Sequence, residues 1–198
     1  MSLESSYRLI APLYDALVGA PLARAREASM RDLPIDPPGR VLVNGIGTGL
    51  DLPYLPAAHE YVGLDLTAAM LSRARGKASK SRTTLVQGNA MRLPFRDETF
   101  AHAVLHLILA VVPEPAACLR ETARVVRKGG TVLVLDKFLR PGQRAYLRRA
   151  LSPLAGAIAT RLDVVIEEVL ARVPDLVIKS DQHALAGGWF RRIRLEKR

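Results

Sequence analysis

Apolar positions along the chain fall into short solid runs, separated by segments where they recur every three or four residues. Arg40-Val41-Leu42-Val43-Asn44, after Pro37-Pro38-Gly39, reads as a short buried strand. Glu60–Asp65, Thr83–Gln87, Thr99–Leu107 and Thr131–Lys137 read as four more. Helical spacing predicts helices over Thr67–Ser79, with Thr67 as N-cap, and over Pro115–Arg127, stopped by Gly129-Gly130. Alternating strands and helices predict a mostly parallel sheet with helices on both faces. Leu176–Leu185 and Trp189–Leu195, joined by Ala186-Gly187-Gly188, read as a hairpin, so the sheet ends in an antiparallel strand. Leu3, Tyr7, Ile10, Tyr14 and Leu17 lie at helical spacing, which predicts an N-terminal helical cap over residues 1–36. Residues 138–175 read as a helical insertion broken by Pro141 and Pro153, at the sheet edge where ligands bind. All 198 residues form one domain on this reading.

Composition narrows the function classes. The chain is 49% hydrophobic and 24% charged, which excludes a disordered or collagen-like protein. The lone Cys118 excludes an internal disulfide; inside a helix it reads as a small buried apolar residue. No Cys-x-x-Cys pair is present, and no metal is expected. The longest apolar run, Ala101–Pro113, is too short to span a bilayer. MSLESSYRL lacks a charged leader followed by an apolar core, so the expected location is cytoplasmic, with peripheral contact at the inner membrane surface.

The net charge of +10 is uneven: residues 1–60 carry 5 basic and 7 acidic side chains, residues 61–140 carry 13 and 6. Such an excess suits an anionic partner, an anionic membrane surface among them, or a solvated basic surface. Arg144, Arg148 and Arg149 are candidates for phosphate head groups. Aromatic residues are only 5% of the chain, so the stacking that single-stranded nucleic acid needs is poorly supplied.

Gly45-Ile46-Gly47-Thr48-Gly49 carries the most information. It follows a strand and is expected to precede a helix, and Asp65 lies 20 residues after Gly45 at the end of the next strand. Glycines there let a ligand approach the backbone, and the acid meets ribose hydroxyls. A dinucleotide site calls for a sixth-position glycine, where this chain has Leu50. No basic residue is near in sequence, and Asp51 would repel a pyrophosphate, so the loop suits a nucleoside ligand without phosphates.

The glycine run with its strand resembles motif I of class I S-adenosylmethionine-dependent methyltransferases. Gly63-Leu64-Asp65-Leu66 with Met70-Leu71, Gly88-Asn89-Ala90 with Leu93-Pro94-Phe95, and Arg124-Val125-Val126-Arg127-Lys128-Gly129-Gly130 resemble the family's later motifs, in order. Tyr7 and Ala11-Pro12-Leu13-Tyr14-Asp15 resemble the opening of the ubiquinone/menaquinone C-methyltransferase branch, and Gly49-Leu50-Asp51-Leu52-Pro53 with Tyr54 is most similar to bacterial phosphatidylethanolamine N-methyltransferases. The resemblance implies a Rossmann-like seven-stranded sheet whose last strand is antiparallel. It implies S-adenosylmethionine as cofactor, S-adenosylhomocysteine as product, and a lipid-like or small-molecule acceptor. It departs at Val43, where the family usually has an acid, and at Asn89, whose side-chain oxygen still accepts a hydrogen bond from an adenine amine.

The cofactor residues this implies are Gly45, Ile46, Gly47, Thr48, Gly49, Asp65, Leu66, Met70, Asn89, Ala90, Met91 and His106. His106, after the fourth strand, is the candidate base or acceptor-orienting group, against plain packing. Tyr7 and Tyr14 are candidates to close over the cofactor. His102 reads as a packed histidine. His183, Asp136 and Lys137 lie near the crevice as weaker candidates. The expected activity is methyl transfer to a phospholipid amine. The alternatives are a quinone precursor, a soluble small molecule, a non-catalytic cofactor-binding protein and, least favoured, a nicotinamide dehydrogenase.

Overall fold

Seven strands form one sheet in the computed structural model, which describes residues 21–79, 81–140 and 163–198. Tyr7, Tyr14 and their apolar stripe, and Pro141, Arg144, Arg148, Arg149 and Pro153, lie outside the described residues. In chain order the strands are β1 (Arg40–Asn44), β2 (Glu60–Asp65), β3 (Thr83–Gln87), β4 (His102–His106), β5 (Thr131–Lys137), β6 (Leu176–Leu185) and β7 (Phe190–Lys197). Their spatial order is β3-β2-β1-β4-β5-β7-β6. The first five pair in parallel, and β7 runs antiparallel between β5 and β6. The described helices are α1 (residues 21–30), α2 (Ala68–Ala78), α3 (Pro115–Val125) and α4 (Ile166–Leu170).

Two expected elements are shorter than their patterns. The fourth strand starts at His102 and α3 stops at Val125 because Phe100 bridges Val126 instead of extending the ladder. After the glycine loop the expected helix is only a 3-10 turn, Leu52–Tyr54. Pro53 and Pro56 each remove a backbone donor within one short connection. Thr67 stands at the N-cap of α2, but its hydroxyl donates to Asp65 and caps nothing.

The core has two main faces. Leu42, Ala103, Leu105 and Val134 pack under Cys118 and Leu119 of α3. On the other face Val41, Val43, Val104 and Leu133 meet Met30 of α1, Leu52 and Leu71. Alternation along the strands sets which residue joins which side. It also puts His102 and His106 on one face but at opposite ends of β4, about 13 Å apart.

His102 belongs to the amino end of the sheet. Its Nδ1 accepts from the Thr131 amide at 3.0 Å, and its ring meets His59 edge-on. Burial, with the His59 and Arg127 charges adding, pushes its pKa down to about 4. Protonation therefore favours the unfolded chain, and the stability present above about 6.5 drains away as pH falls toward 4. Urea unfolding at pH 7.5 and pH 5 checks this: His102→Gln, which keeps an acceptor for Thr131, loses less stability between the two than the parent does.

Candidate active site

Three glycines carry the chain over the carboxyl ends of β1 and β2, all with positive φ: Gly45 at 80°, Gly47 at 55° and Gly49 at 77°. A Cβ on Gly45 would sit 2.3 Å from Ile108 Cδ1, and one on Gly49 2.6 Å from Leu52 Cδ1. At Gly47 it would meet nothing within 4 Å. Packing alone demands the outer glycines, while the middle one borders open space that a ligand can enter. Several loop amides turn inward. Gly45 and Ile46 donate to the Leu64 carbonyl, Gly47 to Asp65 Oδ2, and Gly49 to the Ile46 carbonyl. Phosphate-binding loops do the reverse and aim their N–H groups at the anion. This loop suits a ligand with cationic groups, as S-adenosylmethionine has.

The structure amends two steps of the sequence argument against a pyrophosphate. A cation does reach the loop, since Lys77 Nζ donates to the Thr48 carbonyl at 2.8 Å. Asp51 is buried, and its carboxylate is taken up by Arg26 and His106. The inward amides carry the argument instead.

Asp65 is half-buried at the end of β2. Its carboxylate accepts from the Gly47 amide at 2.9 Å, the Thr67 amide at 3.0 Å and the Thr67 hydroxyl at 3.2 Å. Burial raises its pKa against the pull of these donors. Leu66 beside it is 57% exposed, a large apolar side chain left bare at the sheet edge. Met70 and Met91 are half-buried, Ala90 is buried, and the exposed Asn89 accepts from the Met91 amide with its side-chain oxygen. The Ile46 and Thr48 side chains are buried, so those residues could meet a ligand only through their backbone.

His106 ends β4 with a side chain wholly out of solvent. Its Nδ1 donates to Asp51 Oδ1 at 2.7 Å, and its Nε2 lies 3.0 Å from the Ser29 hydroxyl. Arg26 Nη1 reaches the same Asp51 oxygen at 2.7 Å, with both side chains about 5% exposed. Burial alone would raise the Asp51 pKa, but the His106 and Arg26 charges outweigh it and hold the carboxyl well below the usual range. Both His106 nitrogens are engaged inside the protein, so neither is turned to an acceptor in this arrangement. Arg26, Asp51 and Ser29 were missed as members of this cluster. For Arg26 and Ser29 the signal was a charged and a polar residue interrupting an apolar stripe, Leu22–Arg26–Ser29–Leu33, that runs along α1 and just past its end; Asp51 carried no such signal.

Asp136 and Lys137 end β5 on opposite faces. Asp136 is buried and accepts from the Ala110 amide at 3.0 Å; burial raises its pKa. His183 is exposed on β6, where its ring packs over Gly188 and accepts from Arg140. Asn44, one residue before the loop, is fully buried and donates to Thr122 and to Cys118, whose thiol burial pushes up to about 12. Among the described residues no cluster of three or more His, Cys, Asp or Glu could hold a metal.

A parallel sheet with one antiparallel strand, and a glycine loop with an acid on the next strand, define a nucleoside-binding α/β protein. The Methyltransferase domain family matches residues 42–134. The chain is 37% identical over 165 residues to a phosphatidylethanolamine N-methyltransferase of Cereibacter sphaeroides, covering 81% of each. It is 33% identical over 172 residues to a demethylmenaquinone methyltransferase of Mycolicibacterium paratuberculosis, covering 82% of this chain and 73% of that one. A solved SAM-dependent methyltransferase of Thermotoga maritima, described as a possible histamine N-methyltransferase, shares the fold with a TM-score of 0.73 at 20% identity, over 98% and 99% of the two chains. The chain belongs to the S-adenosylmethionine-dependent methyltransferases, and S-adenosylmethionine is its cofactor.

Breaking the buried pair tests the cluster. Arg26→Met leaves a sealed carboxylate without its guanidinium and lowers unfolding free energy by about 3 kcal/mol or more in urea titration. Arg31→Met, which breaks an exposed ion pair to Glu27 on the same helix, changes it by about half a kcal/mol at most.

Proposed function

We propose that this enzyme methylates a lipid-like acceptor, with a phospholipid amine as first choice. The observation that carries this reading is the 37% identity to a phosphatidylethanolamine N-methyltransferase across four-fifths of both chains. The demethylmenaquinone methyltransferase similarity favours a second reading, in which a quinone precursor is the acceptor. Exposed Leu66 at the site's edge suits an apolar neighbour in either case. No described helix is long and apolar enough to cross a membrane, so a lipid acceptor would be met by peripheral contact.

Bound S-adenosylmethionine supplies an activated methyl group on a sulfonium, ready for in-line displacement. On this reading Gly45–Gly49 lie along its amino-acid end, and loop carbonyls face its positive charge. Asp65 accepts from the ribose hydroxyls. Leu66, Met70, Asn89, Ala90 and Met91 border the adenine, where Asn89 has a second lone pair left beyond the one given to Met91. His106 holds α1 against the loop through Ser29 and Asp51, which sets the floor on which the acceptor rests. Tyr7 and Tyr14 remain the proposed closing residues of a cap over residues 1–36. Residues 138–175 form the proposed cover on the acceptor side. The pairing of Leu139 with Val165 supports this, since it returns the chain beside the end of β5 by residue 165. An amine acceptor must attack in its neutral form, so its proton leaves before or during transfer.

Two measurements test the reading. Gly47→Val puts a branched side chain into the open space at positive φ, and weakens S-adenosylhomocysteine binding more than about 10-fold in calorimetry. Gly76→Ala, on α2 with open space around it, leaves binding unchanged. With methyl-labelled S-adenosylmethionine and a bacterial membrane extract, label enters the organic phase as methylated phospholipid. Label confined to the aqueous phase, with cofactor binding intact, sinks the lipid acceptor.

A further inference from the structure

Lys137 closes β5 at the carboxyl edge of the sheet. Alternation places it on the same face as Leu135, and Leu135 is the cross-strand partner of His106. Its position is therefore about 7 Å outward from the His106 level, on the side that α1 covers. Its surroundings are apolar: its cross-strand partner Phe190 packs with Leu107, Leu22, Ala25 and Leu135 in one cluster. The side chain is half-buried, yet its ammonium makes no hydrogen bond or close ion pair with any described residue. Among the described residues Asp136 is the charge that acts on it. Its carboxylate lies on the opposite face and is held by the Ala110 and Lys137 amides. Arg140, three residues on, is engaged with His183. A half-buried cation beside an apolar cluster, with its donors unspent on protein groups, is placed to receive an anion.

We propose that Lys137 is the oxyanion anchor of the acceptor site: its ammonium pairs with a negatively charged oxygen of the methyl acceptor while the acceptor's apolar part lies along Leu107 and Phe190. This rests on the lipid-like acceptor reading and specifies how that acceptor is held. The oxygen comes either from the phosphodiester of a phospholipid or from the ionised ring hydroxyl of a quinol precursor. Burial already pushes the Lys137 pKa down, so an anion alongside would also restore its charge. The same cation beside an acceptor amine would favour the amine's neutral, attacking form.

The protein saturated with S-adenosylhomocysteine is titrated with dodecyl phosphate and, as a neutral amphiphile of equal chain length, dodecyl maltoside. The parent binds the phosphate at least 10-fold more tightly than the maltoside. Lys137→Met loses about 10- to 100-fold on the phosphate, the range of one charge-assisted hydrogen bond, with maltoside affinity and melting temperature unchanged. Lys137→Arg keeps the phosphate affinity within a few-fold, and Lys137→Gln replaces the Met variant if that one fails to fold. Equal phosphate affinity in parent and Lys137→Met overturns the proposal, as does equal loss of both amphiphiles or a parent without preference.

Turnover arms name the source. Phosphatidylethanolamine vesicles and neutral vesicles carrying a demethylated naphthoquinol are offered separately. A raised KM in Lys137→Met, with kcat nearly kept, is expected on whichever acceptor the parent methylates; an unchanged KM there overturns the proposal. Turnover of neither acceptor removes the lipid-like reading of the function, while the amphiphile titration still decides Lys137.

Discussion

A carboxylate sealed from water is among the costliest groups a fold can hold, and Asp51 is such a group. It is tolerable only because Arg26 and His106 converge on one of its oxygens, each at 2.7 Å. That demand joins three segments far apart in sequence: α1, the turn leaving the glycine loop, and the end of β4. Ser29 extends the chain by binding the second nitrogen of His106. The loop is thereby held from below. The cluster is costly to break, and its value lies in fixing one arrangement of these segments. The short 3-10 turn after the loop follows directly on Asp51, which stands at its N-cap.

The fold was largely legible in the sequence. Five of seven strand boundaries follow directly from the apolar runs, and the hairpin from Ala186-Gly187-Gly188. These elements are decided locally, by solid burial and by turn chemistry. β7 starts one residue later and runs two residues further than its apolar run, and the start of β4 and the end of α3 are decided by a contact between them, Phe100 with Val126. No local pattern carries that. The glycine loop and Asp65 were legible for the reason the fold was: their spacing in sequence is set by one strand-to-strand crossing. The Asp51 cluster was not, because its members come from three distant segments, Ser29 and His106 alone lying 77 positions apart. Read along the chain, Asp51 seemed a charge facing the ligand and the loop seemed free of cations. In space Asp51 is neutralised, and Lys77 arrives from α2.

The direction of the loop's amides bears on the valine at position 43. Val43 is 2% exposed among Ile46, Leu52 and Val104, on the face of β1 that the Asp51 cluster also occupies. A carboxylate at 43, as the family usually has, would put a second buried anion on the face that already holds Asp51. An apolar residue there and an acid at 51 are two halves of one charge balance. The consequence falls on the ligand. With Val43 silent and the amides of Gly45, Ile46, Gly47 and Gly49 spent inside the protein, carbonyl oxygens are what the backbone of those residues can offer. Carbonyl oxygens hold an ammonium and repel a phosphate. The same substitution that removes the usual acid therefore leaves the loop more dependent on its own backbone geometry, and the positive φ of Gly47 is part of that geometry.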